Sequence, residues 1–253
     1  MDNKYIENSI FELMEVAQCL VNKGWVERNS GNFSLRVDEV EMEMFPVKKE
    51  LPSSCPTHEA CGVGGGRGGA LWRMTNENKI TFLITHTGSK FRDIAKSALV
   101  NLGVLKYDDG ILLHHATKEG ASPSSEFISH LLIHDFLAKN KPEKKIILHV
   151  HPTHLIALSH KYEGHSKNDI NILLQNKLPE VKMIIPQGIG LVPLLPPGSI
   201  DLAEATINEL AEHDIVLWAK HGCLVVAEDI WEAYDMVDIL DKAAEIQWIM
   251  DNG

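Results

Sequence analysis

The sequence predicts an α/β fold in which a mixed sheet is covered by helices, and three observations carry that prediction. Some stretches repeat their apolar residues with helical spacing, whereas others hold short apolar runs bounded by turn residues, the pattern of strands. Two of those runs, at 215–219 and 223–227, are separated by so few residues, Lys220 to Gly222, that no helical crossover fits and they must pair antiparallel. With 253 residues, 44% of them hydrophobic, the chain can bury a sizeable core and is expected to form one domain over residues 1–253.

The elements follow in order. Ile6, Ile10, Leu13, Ala17 and Leu20 alternate spacings of four and three, which puts one apolar face on a first helix. Strands are expected at 33–37, 80–85, 145–150, 181–185, 215–219 and 223–227, and helices near 125–138, 200–213 and 230–250. Between about 38 and 80 the periodicity lapses, and this stretch reads as an inserted excursion of loop with short strands. Gly64, Gly66 and Gly69 satisfy GxGxxG, yet no clear strand precedes them and a strand-like ALWRM follows, so the dinucleotide-binding context fails.

A formal charge of −11 argues against broad nucleic-acid or anionic-membrane binding, both of which need a basic stripe. It leaves room for a small anionic substrate, because one phosphate can be held by backbone N–H groups and a few hydroxyls in a local concavity. Four cysteines without a close CxxC pair read as reduced thiols, and no run of roughly 18 apolar residues occurs. A cytoplasmic, non-membrane protein is expected. Thirteen histidines are many for such a chain and direct attention to metal.

Ile146-Ile147-Leu148-His149-Val150-His151-Pro152 is a buried-strand pattern ending in histidines at i and i+2, which face the same side. Both imidazoles can converge on one ion where Pro152 ends the ladder, or be satisfied separately by carboxylates or backbone. His221, in the tight turn between two apolar strands, adds a third nitrogen donor, and three histidines with open coordination positions mark catalytic zinc. Glu126, after Pro123-Ser124-Ser125, opens a helix and is either a first-turn carboxylate favoured by the helix dipole or a reacting group. His130 and His134 on the same helix lack an HExxH pattern and read as packing or surface residues. Asn29-Ser30-Gly31-Asn32 and Thr87-Gly88-Ser89-Lys90 place small neutral donors around glycine, a chemistry suited to phosphate, although either segment alone is more often an ordinary turn.

The combination NSGN, HTGSK, SPSSE, HVHPTHLIAL and WAKHGCLVV resembles the class II aldolase/adducin family over nearly the whole chain, from about residue 5 to 250. That resemblance implies a three-layer α/β/α sandwich with a mixed, mostly antiparallel central sheet, one Zn²⁺ per subunit, and a C4 homotetramer with active sites at subunit interfaces. It maps His149, His151 and His221 onto zinc ligands and Glu126 onto the catalytic carboxylate. Asn29, Gly31, Asn32, Thr87, Gly88, Ser89, Ser124 and Ser125 fall on or beside phosphate-binding positions. Glu180, otherwise a solvated loop acid, falls where a second carboxylate is contributed to a neighbouring subunit. Residues 24–32, 186–190 and 216–218, and the excursion, look most like the branch that cleaves L-rhamnulose 1-phosphate to dihydroxyacetone phosphate and L-lactaldehyde. Cleavage of L-fuculose 1-phosphate and 4-epimerisation of L-ribulose 5-phosphate are the alternatives within the fold, an adducin-like module without metal the alternative outside enzymology. Glutamate rather than aspartate at 126 favours an aldolase over an epimerase.

Overall fold

A computed structural model describes residues 3–38, 40, 42–51, 79–108 and 111–253. The GxGxxG glycines, Cys55 and Cys61 lie outside the described residues. The described strands form one nine-stranded sheet in the order β2-β5-β4-β3-β1-β6-β9-β8-β7, with β1 at Asn32–Val37, β2 at Val47–Leu51, β3 at Ile80–Thr85, β4 at Leu102–Asp108, β5 at Ile111–Ala116, β6 at Ile146–Val150, β7 at Gly190–Val192, β8 at Ile215–Trp218 and β9 at Gly222–Ala227. Every neighbouring pair is antiparallel except β7 with β8. The mixed, mostly antiparallel sheet expected from the sequence is therefore present, flanked by helices.

Period-two alternation sorts the strand side chains onto two faces. Phe33, Leu35 and Val37 of β1, Ile146, Leu148 and Val150 of β6, and Cys223, Val225 and Ala227 of β9 join one core with Leu13, Ala17 and Leu20 of α1 (Asn3–Lys23) and Ala233, Val237 and Leu240 of α8 (Ile230–Asn252). The opposite face, with Ile147, Val216, Trp218, Leu224 and Val226, packs on Ile133 and Leu137 of α3 (Phe127–Asn140) and Leu202 and Leu210 of α7 (Ile200–Leu210). His149, next in alternation after Ile147, lies on this second face.

One expected strand is a helix. Residues 181–185 lie largely in α6 (Pro179–Ile184), and the reason is visible in its start and its burial. Pro179 sits in the first turn, where its fixed φ suits a helix and its missing N–H costs nothing. Val181 and Ile185, four apart, are buried, while Met183 and Ile184 between them are exposed, a helical and not an alternating pattern. The remaining helices, α2 (Phe91–Ile94), α4 (Thr153–Lys161) and α5 (Lys167–Lys177), were not resolved by periodicity; α5 opens on a Ser166–Asp169 capping box. Pro152 offers α4 no side-chain cap. The buried Asp241 carboxylate of α8 instead accepts the backbone N–H groups of His154 and Leu155 at 2.9 and 3.1 Å, tying the chain down just past the end of β6.

Candidate metal and sugar-phosphate site

Antiparallel pairing brings the start of β1, the ends of β3 and β6 and the start of β9 to one edge of the sheet. A cavity there is lined by Asn29–Asn32 before and at β1, Thr85–Ser89 after β3, Ser124–Glu126 before α3, and His149, His151 and His221. Two glycines let the strands close around β6. A Cβ at Gly31, whose φ is +74°, would stand 2.8 Å from the His149 carbonyl oxygen, and one at Gly222 would stand 2.5 Å from the Val150 carbonyl oxygen and 2.8 Å from the His151 ring.

The three histidines present one nitrogen each within 4.8 Å of one another. His149 donates Nδ1–H to the Cys223 carbonyl at 2.9 Å, and His151 donates Nδ1–H to the Glu27 carboxylate at 2.8 Å. Those bonds leave both Nε2 atoms as lone pairs, and they face each other across 3.2 Å. Two lone pairs so placed repel unless a cation lies between them, and imidazoles on a tetrahedral zinc at 2.0–2.1 Å sit about 3.4 Å apart. The residues fit a divalent metal. Burial, and then the neighbouring His151 and His221, keeps the His149 imidazole neutral by pushing its pKa well below the ordinary value, and burial likewise brings His221 down to about 4, the neutral form a metal needs. His149 packs on Trp218 at 4.5 Å between ring centroids and His221 stacks on it at 5.3 Å, while the indole N–H donates to Thr206 Oγ1 at 2.9 Å. Lys220 adopts φ 63° at the turn carrying His221, and its backbone N–H is held by Ser159 Oγ at 2.8 Å.

Glu126 does not cap α3: it occupies the N-cap position, but its side chain makes no cap hydrogen bond. The carboxylate is 7% exposed and accepts from Asn32 Nδ2 at 2.6 Å. Burial raises its pKa, opposed by the Asn32 hydrogen bond and the nearby His151. A carboxylate so poised can hold or release a proton in the cavity. Asn29, Gly31, Thr87, Gly88, Ser89, Ser124 and Ser125 gather along the same cavity wall. Gly88, with φ +76°, turns the backbone there as a nest requires. Asn32 lines the cavity as well, yet its amide is engaged at both ends, by Glu126 and by His130. Glu180 is exposed on α6 and is not among the lining residues of its own chain's cavity. Lys220, beside His221, is paired with Glu163.

Two lining or supporting residues escaped the sequence reading. Glu27 orients His151, one of the three clustered histidines, in the way outer carboxylates orient metal ligands, and no local pattern marks it. His86 is buried against the cavity with both ring nitrogens unpartnered and sits edge-on to His114 at 5.4 Å. Only its place before Thr87 could have pointed to it.

Residues 11–248 match the family model described as Class II Aldolase and Adducin N-terminal domain. The chain belongs to this family. It is 34% identical over 243 residues to a rhamnulose-1-phosphate aldolase of Bacteroides thetaiotaomicron, covering 95% of this chain and 85% of that one. A sugar-phosphate aldolase from Thermotoga maritima superposes with a TM-score of 0.78 at 31% identity, covering 98% of this chain and 97% of that one. An L-fuculose-1-phosphate aldolase from Thermus thermophilus shares the fold, at a TM-score of 0.58 and 18% identity over 96% of this chain and 95% of that one. Class II aldolases are metal-dependent, and the histidine triad is where this member can bind one. Among the described residues no helix is long and apolar enough to cross a membrane.

Proposed function

We propose that this class II aldolase cleaves L-rhamnulose 1-phosphate to dihydroxyacetone phosphate and L-lactaldehyde. The observation that carries the proposal is the meeting, in one cavity, of three converging imidazole nitrogens, a buried carboxylate and a neutral cradle of hydroxyls and glycines. Relatives named rhamnulose-1-phosphate aldolase at up to 34% identity over most of the chain support this sugar over fuculose, whose named structural neighbours share the fold at 15–18% identity.

His149, His151 and His221 would hold the metal, taken here as Zn²⁺, which when bound supplies a Lewis acid for the carbonyl end of the ketose. Asn29, Gly31, Thr87, Gly88, Ser89, Ser124 and Ser125 receive the phosphate with backbone N–H groups and neutral side chains. In the cleavage direction the C3–C4 bond breaks, the C4 hydroxyl gives up its proton as the aldehyde forms, and C3 takes one. Glu126 delivers the proton to C3. Glu180, exposed on α6, takes the proton of the C4 hydroxyl in a neighbouring subunit's cavity, which makes a homotetramer with shared sites part of the proposal.

Purified protein supplied separately with rhamnulose 1-phosphate, fuculose 1-phosphate and ribulose 5-phosphate, with dihydroxyacetone phosphate release coupled to its reduction, tests the activity. Fastest release from rhamnulose 1-phosphate is expected; faster release from fuculose 1-phosphate, or epimerisation without release, overturns it. Mixing Glu126→Gln with Glu180→Gln subunits should regenerate some complete sites, and mixed oligomers without recovered activity would return Glu180 to a solvated loop acid.

A further inference from the structure

Behind Glu126 runs a line of buried polar groups that the proposed chemistry does not use. Asn32 Oδ1 meets His130 Nε2, His130 Nδ1 lies 2.7 Å from Ser34 Oγ, and Ser34 Oγ lies 2.8 Å from His134 Nε2. Asn32, Ser34, Glu126, His130 and His134 are all at most 7% exposed. The line follows from two periodicities meeting. Asn32 and Ser34 share one face of β1, and Glu126, His130 and His134 recur every fourth residue along the start and body of α3.

Its direction is determined by valence. A carboxylate only accepts, so the amide nitrogen of Asn32 faces Glu126 and its oxygen faces His130. His130 must then carry its proton on Nε2, which leaves Nδ1 to accept from the Ser34 hydroxyl. Ser34 oxygen in turn accepts from His134 Nε2–H. The last atom, His134 Nδ1, is a bare lone pair without a partner. Every donor along the chain points toward the carboxylate, and each link polarises the next. Turning the Asn32 amide over would set its oxygen against the carboxylate oxygen, a repulsion that no change of the His130 tautomer removes. Burial supports the same assignment by pushing His130 down to about 3, so that it stays neutral with one N–H.

We propose that His130 is a positioning residue for Glu126: through Asn32, and with its own tautomer set by Ser34 and His134, it fixes where the reacting carboxylate oxygen stands and keeps a donor aimed at it. This rests on Glu126 being the group that handles the proton at C3. It also assigns the Asn32 side chain to the carboxylate instead of the phosphate. Apolar side chains at 130 and 134 would fill the same interface without burying two imidazoles, so the line has a cost that a purely packing role does not explain.

Two measurements test it together. In ¹⁵N-histidine-labelled protein, with the signal assigned by its loss in His130→Gln, which keeps a polar side chain at this buried position, His130 should show the Nε2–H tautomer, and Ser34→Ala should shift it; an Nδ1–H tautomer overturns the chain whatever the enzyme does. In the aldol assay His130→Leu should lower kcat about tenfold, and Ser34→Ala about threefold, with KM within about twofold of the parent, because only the proton-handling group is misplaced. Unchanged kcat in Ser34→Ala together with an unshifted His130 signal overturns the proposal even where His130→Leu does not fold, and so does a rise in KM alone. If the parent protein cleaves no ketose phosphate, the assigned reaction fails while the tautomer still decides the chain.

Discussion

Lowering the pH from 7 to 5 should remove much of this protein's stability before most of its carboxylates are titrated. Burial holds His86 and His114 down at about 4 and His130 at about 3, against an ordinary value near 6.5. Each is neutral in the folded chain and protonated in the unfolded chain throughout the window from 6.5 down to its folded value. The unfolded state therefore binds more protons there, and stability falls as pH falls, by about 1.4 kcal/mol per pH unit for each group. Over the roughly 1.5 units from 6.5 to 5, three histidines remove roughly 6 kcal/mol, comparable with the whole stability of an ordinary domain. Glu126 and Asp235, whose values are raised mainly by burial, act in the opposite sense, and the lowered Glu27 and Glu163 begin to matter only below about 4.5. Urea unfolding of chelator-treated protein at pH 7.5, 6.5, 5.5 and 5 measures the slope, and His114→Phe should reduce it by about one group's share. A midpoint that stays flat from pH 7 to 5 would refute the premise that these imidazoles are buried as neutral groups.

Glu126→Gln keeps the shape but not the titrating group, so kcat should drop by roughly 10² or more with KM little changed and the fold intact, read by steady-state kinetics and circular dichroism. Asn29→Ala should mainly raise KM, because a phosphate contact is made alike in ground and transition states, and an unchanged KM would place the phosphate elsewhere. Gly222→Ala forces a methyl to within 2.5 Å of the Val150 carbonyl oxygen and against the His151 ring, so metal content by elemental analysis should fall while most of the sheet persists. Asp241→Ala strips the start of α4 of its carboxylate partner and should cost about 2 kcal/mol in denaturant midpoint, with a cost under about 0.5 kcal/mol counting against the capping role.

The parts of the site legible in the sequence were those set by local geometry. His149 and His151 share a strand face because strand side chains alternate, and His221 falls in a three-residue connection too short to go anywhere but back along the sheet. Glu126 could be placed at the start of α3, but not turned inward, because the choice between capping the helix and meeting Asn32 depends on a strand 94 residues away in sequence. Glu27 and His86 were missed for the same reason: their partners are tertiary. His130 and His134 had the right helical spacing, yet nothing local distinguishes a buried polar chain from two surface imidazoles. In the fold, the apolar composition of 181–185 suggested a strand, and the first-turn proline and i,i+4 burial decided for a helix. Strands β4 and β5 carry Lys106, His114 and His115 among their apolar residues, which blurred the alternation.

Register explains why the two halves of the cavity meet at Glu126. Asn32 pairs with His149 across β1 and β6, so the residue that holds the carboxylate stands beside the first histidine of the cluster. On the far side of β1, β3 ends at Thr85, from which His86–Ser89 turn into the cavity, and Thr85 Oγ1 accepts the Phe33 N–H at 3.3 Å. The carboxylate thus lies at the boundary between the hydroxyl cradle along β3 and the imidazoles along β6 and β9. The carbon that Glu126 is proposed to protonate, C3, adjoins the carbonyl carbon on the side away from the phosphate-bearing C1, so the carboxylate has to stand within reach of the imidazole cluster, as its place beside Asn32 and His149 allows. Because the location follows from pairing between β1 and its two neighbours, a one-residue slip of β1 would turn Asn32 to the opposite face and remove Glu126's partner along with its place in the site.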